Sequence, residues 1–193
     1  MISEYLLQQT NADLALPTYR QFIKDYPTAK SLAEADIRKL RRLISFVGLS
    51  YRADRLKTIG RQLVSGFAGK IPQSRDSLLK LHGVGLYMSN AVLCFAYGKR
   101  LPILDTNTIR IFDRVFGITS NLKRPRTDKK LESQMLAYLP NRMVREFNFA
   151  LLDFGALVCT SKRPYCEQCP LNSICQFYLS GGSSNLSSQS SSS

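Results

Sequence analysis

Four of the chain's five cysteines, Cys159, Cys166, Cys169 and Cys175, crowd into one stretch with C-x6-C-x2-C-x5-C spacing. Four thiolates on a compact loop with short turns can enclose one metal centre, and zinc and a four-iron cluster both take four cysteine ligands. Zinc ribbons usually carry two separated C-x2-C knuckles, whereas one pair alone has that spacing in this chain. A loop tied in this way needs little apolar core, because metal-binding energy becomes folding energy. The chain has no signal-peptide pattern and no apolar run of membrane-spanning length, so an intracellular protein is expected. In that reducing compartment the cysteines are ligands rather than a disulfide framework. Cys94 stands apart among Val92, Leu93 and Phe95 and is expected to be a small buried hydrophobe.

The rest of the chain has the periodicity of helices. A first helix is expected to be under way at the initiator methionine, in ISEYLLQQT. Residues Leu14 to Tyr26 place Leu16, Tyr19, Phe22, Ile23 and Tyr26 at helical spacing, and Pro27 stops them. Ser31 to Phe46 reads as two short helices closed by Gly48, and Tyr51 to Phe67 as another. Ser74 is a cap for the helix that follows, Thr127 for one running to about Leu139, and Asn141 to Val158 completes the set. No segment sustains β alternation, so the fold class is all-α. We expect two helical lobes, residues 1–117 and 118–179, and a disordered serine-rich tail at 180–193.

Residues Leu78 to Arg114 read as helix, glycine turn, helix, loop and helix. His82-Gly83-Val84-Gly85 makes a hairpin over 81–86 whose glycines suit positive φ. Glycine N–H groups at the opening of a helix face outward at the positive end of its dipole, which suits a phosphate. Downstream, Asp105-Thr106-Asn107 places a carboxylate at the N-cap of the next helix. Lysine and arginine outnumber aspartate and glutamate by 27 to 14, a formal +13 that is dense at Lys123 to Lys130 and favours a polyanionic partner.

Hairpin, loop and aspartate together resemble the helix-hairpin-helix and Gly/Pro-Asp segment of the endonuclease III superfamily of DNA glycosylases. The run FNFALLDFGALVCTSKRPYCEQCPLNSIC resembles the 4Fe-4S loop of endonuclease III and of adenine mismatch glycosylases. The resemblance implies a 4Fe-4S cluster on Cys159, Cys166, Cys169 and Cys175, and a phosphate grip at His82, Gly83, Val84 and Gly85. His82 departs from the family's usual proline, which should alter hairpin stiffness more than phosphate binding. Lys162 and Arg163, between the first two ligands, are implied to contact DNA. Gln8 and Gln9 match a position where relatives insert glutamine into the space a flipped base leaves, and Gln9 is the better candidate. Asp105 matches the aspartate that assists departure of the base, with Asn107 in the same catalytic segment. Glu4 matches the glutamate by which adenine mismatch glycosylases protonate the leaving purine.

The chemistry agrees with those residue types. Cleaving an N-glycosidic bond develops positive charge on the sugar, which a fixed carboxylate at Asp105 stabilises, and a second carboxylate at Glu4 serves as acid. Endonuclease III carries its Schiff-base lysine where this chain has Tyr87; a phenol cannot form that intermediate, so base removal without strand cleavage is expected. LLQQT and C-x-x-C-P-L resemble the adenine enzymes, whereas GLSYRADRLK, VLCFAYGKR and REFNFALLDF resemble thymine·guanine enzymes. Adenine enzymes normally continue into a domain that reads 8-oxoguanine, and a serine tail follows the cysteines here. The favoured expectation is therefore a monomeric, monofunctional mismatch glycosylase of base excision repair, acting on thymine or uracil opposite guanine in double-stranded DNA. Adenine excision from A·G or A·8-oxoguanine, a non-catalytic iron-sulfur DNA-binding protein, and a glycosylase-lyase for oxidised pyrimidines are the alternatives. Relatives have a helix upstream of the segment that starts at Ile2, so a misassigned start or a shortened chain is expected. In a prokaryote the protein would work at the nucleoid.

Overall fold

A computed structural model describes residues 1–7, 12–47 and 50–182. Gln8, Gln9, Gly48 and the tail from 183 lie outside the described residues. Among the described residues every regular element is helical, as the periodicity led us to expect, and none is long and apolar enough to cross a membrane. The chain forms two compact units, Met1–Leu93 and Cys94 onward.

The first unit contains α1 (Ile2–Leu6), α2 (Ala12–Asp25), α3 (Ala29–Ala33), α4 (Ile37–Ser45), α5 (Ala53–Phe67), α6 (Arg75–Leu79) and the opening turns of α7 (Leu86–Tyr97). Two short helices are expected between Ser31 and Phe46; two occur, each with its own cap, and the first starts earlier, at Ala29. Thr28 and Ser31 close a reciprocal capping box on α3, and Asp36 accepts from the N–H groups of Arg38 and Lys39 to start α4. Ser74 caps α6 as anticipated. Gly60 lets α5 press on α3, since a Cβ there would lie 2.8 Å from the Ala33 nitrogen. Phe22, Leu40, Ile44, Leu56, Ile59 and Leu78 are fully buried, each contributing about 1.5–3 kcal/mol of transfer free energy.

The second unit contains the rest of α7, α8 (Thr106–Phe116), α9 (Lys129–Ala137), α10 (Val144–Leu157) and α11 (Gln176–Leu179). Helix α8 is its axis. One face packs Phe112 with Leu104, Leu131 and Met135, and another packs Ile111 and Val115 with Cys159 and Cys175. Two helix starts differ from expectation. Thr127 does not cap α9: Pro125–Thr127 form a 3-10 turn, and the next residue, Asp128, accepts from Lys130 and Leu131 N–H. Helix α10 begins at Val144 rather than Asn141, because Met143 is left-handed at φ 55° and interrupts the chain before it. Cys94 is fully buried, as read from the sequence, yet it has a polar neighbour. The buried Asn148 amide donates to the Cys94 sulfur and to the Leu101 and Val144 carbonyls, and accepts from Ile103 N–H. Burial pushes the Cys94 thiol pKa up.

Candidate nucleic-acid interface and cysteine centre

The hairpin follows α6 and opens α7. Gly83 sits at φ +72°, where only glycine is unstrained, while Gly85 is not in that region and a Cβ on it would meet nothing within 4 Å. Positive φ is therefore a requirement of Gly83 alone. Val84 is buried, and its N–H donates to the Leu81 carbonyl at 3.1 Å. It anchors the turn rather than offering a donor. The N–H groups of the exposed Gly83 and Gly85 have no acceptor among the described residues, and they are the hairpin's outward donors.

Side chains from two distant helices hold this turn. The Tyr5 hydroxyl on α1 donates to the His82 carbonyl at 3.0 Å. Gln62 on α5 accepts the His82 N–H at 2.8 Å and donates to the Lys80 carbonyl at 3.2 Å. Arg52, itself buried, donates to the Tyr5 carbonyl at 3.0 Å. Burial raises the pKa of the Tyr5 hydroxyl, partly countered by the positive charges of Arg55 and Arg52, so it stays a donor at neutral pH.

The same short α1 carries Glu4, and the structure brings it to Tyr87. The Tyr87 hydroxyl donates to Glu4 Oε2 at 2.9 Å, linking residues 83 positions apart in the chain. Both side chains are half-buried. Glu4 Oε1 takes no hydrogen bond from the described residues.

In the second unit Asp105 occupies the N-cap of α8, as expected. Its Oδ1 accepts Thr108 N–H at 2.7 Å, and Thr108 Oγ1 returns to the Asp105 N–H and also donates to the Ile103 carbonyl. Capping occupies Oδ1; Oδ2 has no donor among the described residues. Asn107 faces α10 instead: its Oδ1 accepts from Arg110 at 2.9 Å, and a Cβ on Gly155 would fall 2.5 Å from its Cβ.

Two arginines one turn apart on α8 hold the cysteine loop. Arg110 donates to the carbonyls of Cys159 (2.8 Å) and Gly155 (2.6 Å). Arg114 donates to those of Thr160 (2.6 Å) and Ser161 (2.8 Å), lies 3.5 Å from Cys159 Sγ and packs over the Phe177 ring. The exposed Lys162 and Arg163 follow directly on the carbonyls so fixed. All four cysteines line one cavity of about 20 Å³, walled by Val115, Phe154, Val158 and Phe177. Burial, then the neighbouring charges of Cys159 and Cys175, push the Cys166 thiol up, against the pull of Arg114. No three His, Cys, Asp or Glu side chains among the described residues converge as a single ion requires. A tetrahedral zinc would draw its sulfurs to about 3.8 Å of one another. A four-iron cluster takes each cysteine on a separate iron at its own corner, so its ligands stand wider apart.

Sequence reasoning did not reach Tyr5, Gln62, Arg52, Arg110 or Arg114. The last two carried a signal, being four residues apart on one helix face ahead of the cysteines. Tyr5 and Gln62 carried none.

A turn that opens a helix with unsatisfied glycine N–H donors makes this a helix-hairpin-helix protein, suited to a phosphate backbone. Residues 2–139 match the HhH-GPD superfamily of base excision DNA repair proteins, and the chain belongs to that family. It is 41% identical over 182 residues to a thymine/uracil-DNA glycosylase of Pyrobaculum aerophilum, across 92% of this chain and 79% of that one. An adenine DNA glycosylase of Buchnera aphidicola is 34% identical over 178 residues, across 92% of this chain and 50% of that enzyme. A solved thermostable thymine-DNA glycosylase superimposes with a TM-score of 0.86 at 32% identity, covering 93% of this chain and 82% of its own. The resemblance seen in the hairpin and cysteine motifs is thus found along nearly the whole chain.

Proposed function

We propose that the protein is a monofunctional DNA N-glycosylase of base excision repair, acting as a monomer on double-stranded DNA and removing thymine or uracil opposite guanine. The observation that carries the monofunctional reading is the Tyr87–Glu4 pair, and likeness to a thymine/uracil-DNA glycosylase supports the choice of base. The pair stands just past the hairpin, it contains a carboxylate with one oxygen open, and it has a phenol where an amine nucleophile would be needed for strand cleavage. Glu4 supplies the proton for the departing base, and Tyr87 fixes the Glu4 carboxylate. Asp105, with Oδ2 open, stabilises the positive charge that develops on the sugar as the N-glycosidic bond breaks and water adds. Gly83 and Gly85 N–H, His82, Lys162 and Arg163 hold phosphates, and Gln9, with Gln8 beside it, fills the space left by the extruded base. Asn107 acts with Asp105 through its packing on α10.

Cys159, Cys166, Cys169 and Cys175 would hold a 4Fe-4S cluster, supported by their shared, mainly apolar cavity. When bound, such a cluster adds binding energy to the fold and a one-electron redox couple. The protein is read as intracellular, where its DNA substrate lies.

The test is excision from T·G, U·G, A·G and A·8-oxoguanine duplexes, with and without alkaline work-up. The expected result is T·G and U·G cleavage that appears only after alkali. Exclusive A·G cleavage would favour the adenine reading, to which Glu4 also lends itself, and efficient borohydride trapping of the unmodified protein would overturn the monofunctional one. Asp105→Asn keeps the cap hydrogen bond and should lower excision by at least about 100-fold while duplex binding is retained.

A further inference from the structure

The two free glycine N–H groups of the hairpin are dipoles and carry no net charge. Beside them stands Arg55, on α5. Its Cδ lies 3.7 Å from the position a Cβ on Gly83 would occupy, so its stem passes next to the open face of the turn. The residue is exposed, and among the described residues its guanidinium makes no hydrogen bond or ion pair. The adjacent Asp54 cannot neutralise it, because that carboxylate is held by both its oxygens on Arg41 Nη2, at 3.1 and 2.8 Å. Arg52, just before α5, is buried and committed to the Tyr5 carbonyl and the Tyr51 hydroxyl, and Lys57 donates to the Ala35 carbonyl.

We propose that Arg55 is a phosphate-binding residue that completes the hairpin site, supplying the net charge that the glycine donors lack. The inference rests on reading the hairpin as a DNA grip. Tyr5 sets the arrangement: its hydroxyl lies 2.8 Å from the same Gly83 position while donating to the His82 carbonyl, and the charge of Arg55 acts on that hydroxyl. Glycine at 83, the tyrosine beneath and the arginine beside it therefore form one unit. A guanidinium suits this place better than an ammonium for geometry, although either provides the charge.

The experiment measures affinity of the full chain for an undamaged duplex between about 50 and 200 mM salt, for wild type, Arg55→Met and Arg55→Lys. Methionine keeps the stem and removes the charge; Arg55→Gln is a second neutral variant should Met impair folding. One lost phosphate contact should flatten the slope of log K against log salt by about 0.9, so that wild type loses about 3-fold more affinity over this range than the neutral variant. Arg55→Lys should keep the wild-type slope. A neutral variant with the wild-type slope overturns the proposal, even if its affinity is lower, since packing alone would explain that. Failure of wild type to bind duplex DNA at all would instead strike at the hairpin reading, leaving the two failures distinct.

Discussion

The hairpin of the first unit and the cysteine loop of the second are both candidate grips on DNA, and they are assembled in opposite ways. In the hairpin, side chains do the holding: Tyr5 and Gln62 take up the backbone polar groups of Lys80 and His82, leaving glycine N–H groups free to bind. At the loop, backbone carbonyls of Gly155 near the end of α10 and of Cys159, Thr160 and Ser161 are taken by Arg110 and Arg114, leaving the Lys162 and Arg163 side chains exposed. The first grip is main chain steadied by side chains, and it lies on a unit with a substantial apolar core. The second is side chain steadied through main chain, and its packing includes two of the thiols themselves. The lesson is that the same task exposes different residues to damage: backbone geometry in one unit, ligand chemistry in the other.

The largest effect should come from the second unit. Cys166→Ser removes one of four thiols from a cavity whose walls include the cysteines, so iron should be lost and the loop should unfold with it. Iron analysis, visible absorbance and proteolysis after Ser161 would register this. Full retention of the loop's protease resistance in an iron-free variant would break the comparison, since the loop would then be held by Arg110 and Arg114 alone.

Next in size is Gly83→Ala. The methyl would lie 2.8 Å from the Tyr5 hydroxyl, at a φ that costs an ordinary residue about 1–2 kcal/mol, so the hairpin must shift. Duplex affinity should fall about tenfold on that cost, with iron content unchanged. An equal loss of iron would mean that the two grips are not separately held. The matched variant Gly85→Ala, with open space around its Cβ, should bind within about twofold of wild type, because no clash or left-handed φ is involved.

Much of this contrast could be read from the sequence, and the part that could not has a physical reason. The cysteine spacing, the Asp105 cap and the two short helices around Asp36 are local patterns, set by residues within a few positions of each other. The hairpin's bracing is not: Tyr5 reaches His82 across 77 positions and Gln62 across 20, and neither has a local signature. Thr127 and Asp128 are both good caps standing side by side, and the choice fell to the 3-10 turn begun by Pro125, which carries the chain past Thr127 before α9 starts. Val84 looked like part of the phosphate grip because of its glycine neighbours, whereas its apolar side chain turns inward and its N–H closes the turn.

The smallest effect compares the same cap in both units. Asp36 on α4 and Asp128 on α9 each accept two backbone N–H groups, and both carboxyls are held below the ordinary aspartate range. For Asp36 the leading cause is the Lys39 N–H bond; for Asp128 it is the Ser120 hydroxyl. A folded-state pKa below the unfolded one gives a stabilisation that is present above the unfolded value, near 4, and lost as pH falls through the folded value. Asn in either place still accepts the N–H bond but has no charge, so Asp36→Asn should speed exchange of the Lys39 amide a few-fold at pH 6, on the order expected for one exposed cap, with the difference shrinking as pH falls through the lowered folded-state value. Asp128→Asn should do the same at Leu131. If the thiols bind an acid-labile cluster, the Leu131 amide will lose protection in wild type and variant together as pH falls, while Lys39 follows the carboxyl titration alone. A parallel, purely carboxylate-driven profile at both amides would argue that the second unit's stability does not depend on its metal ligands.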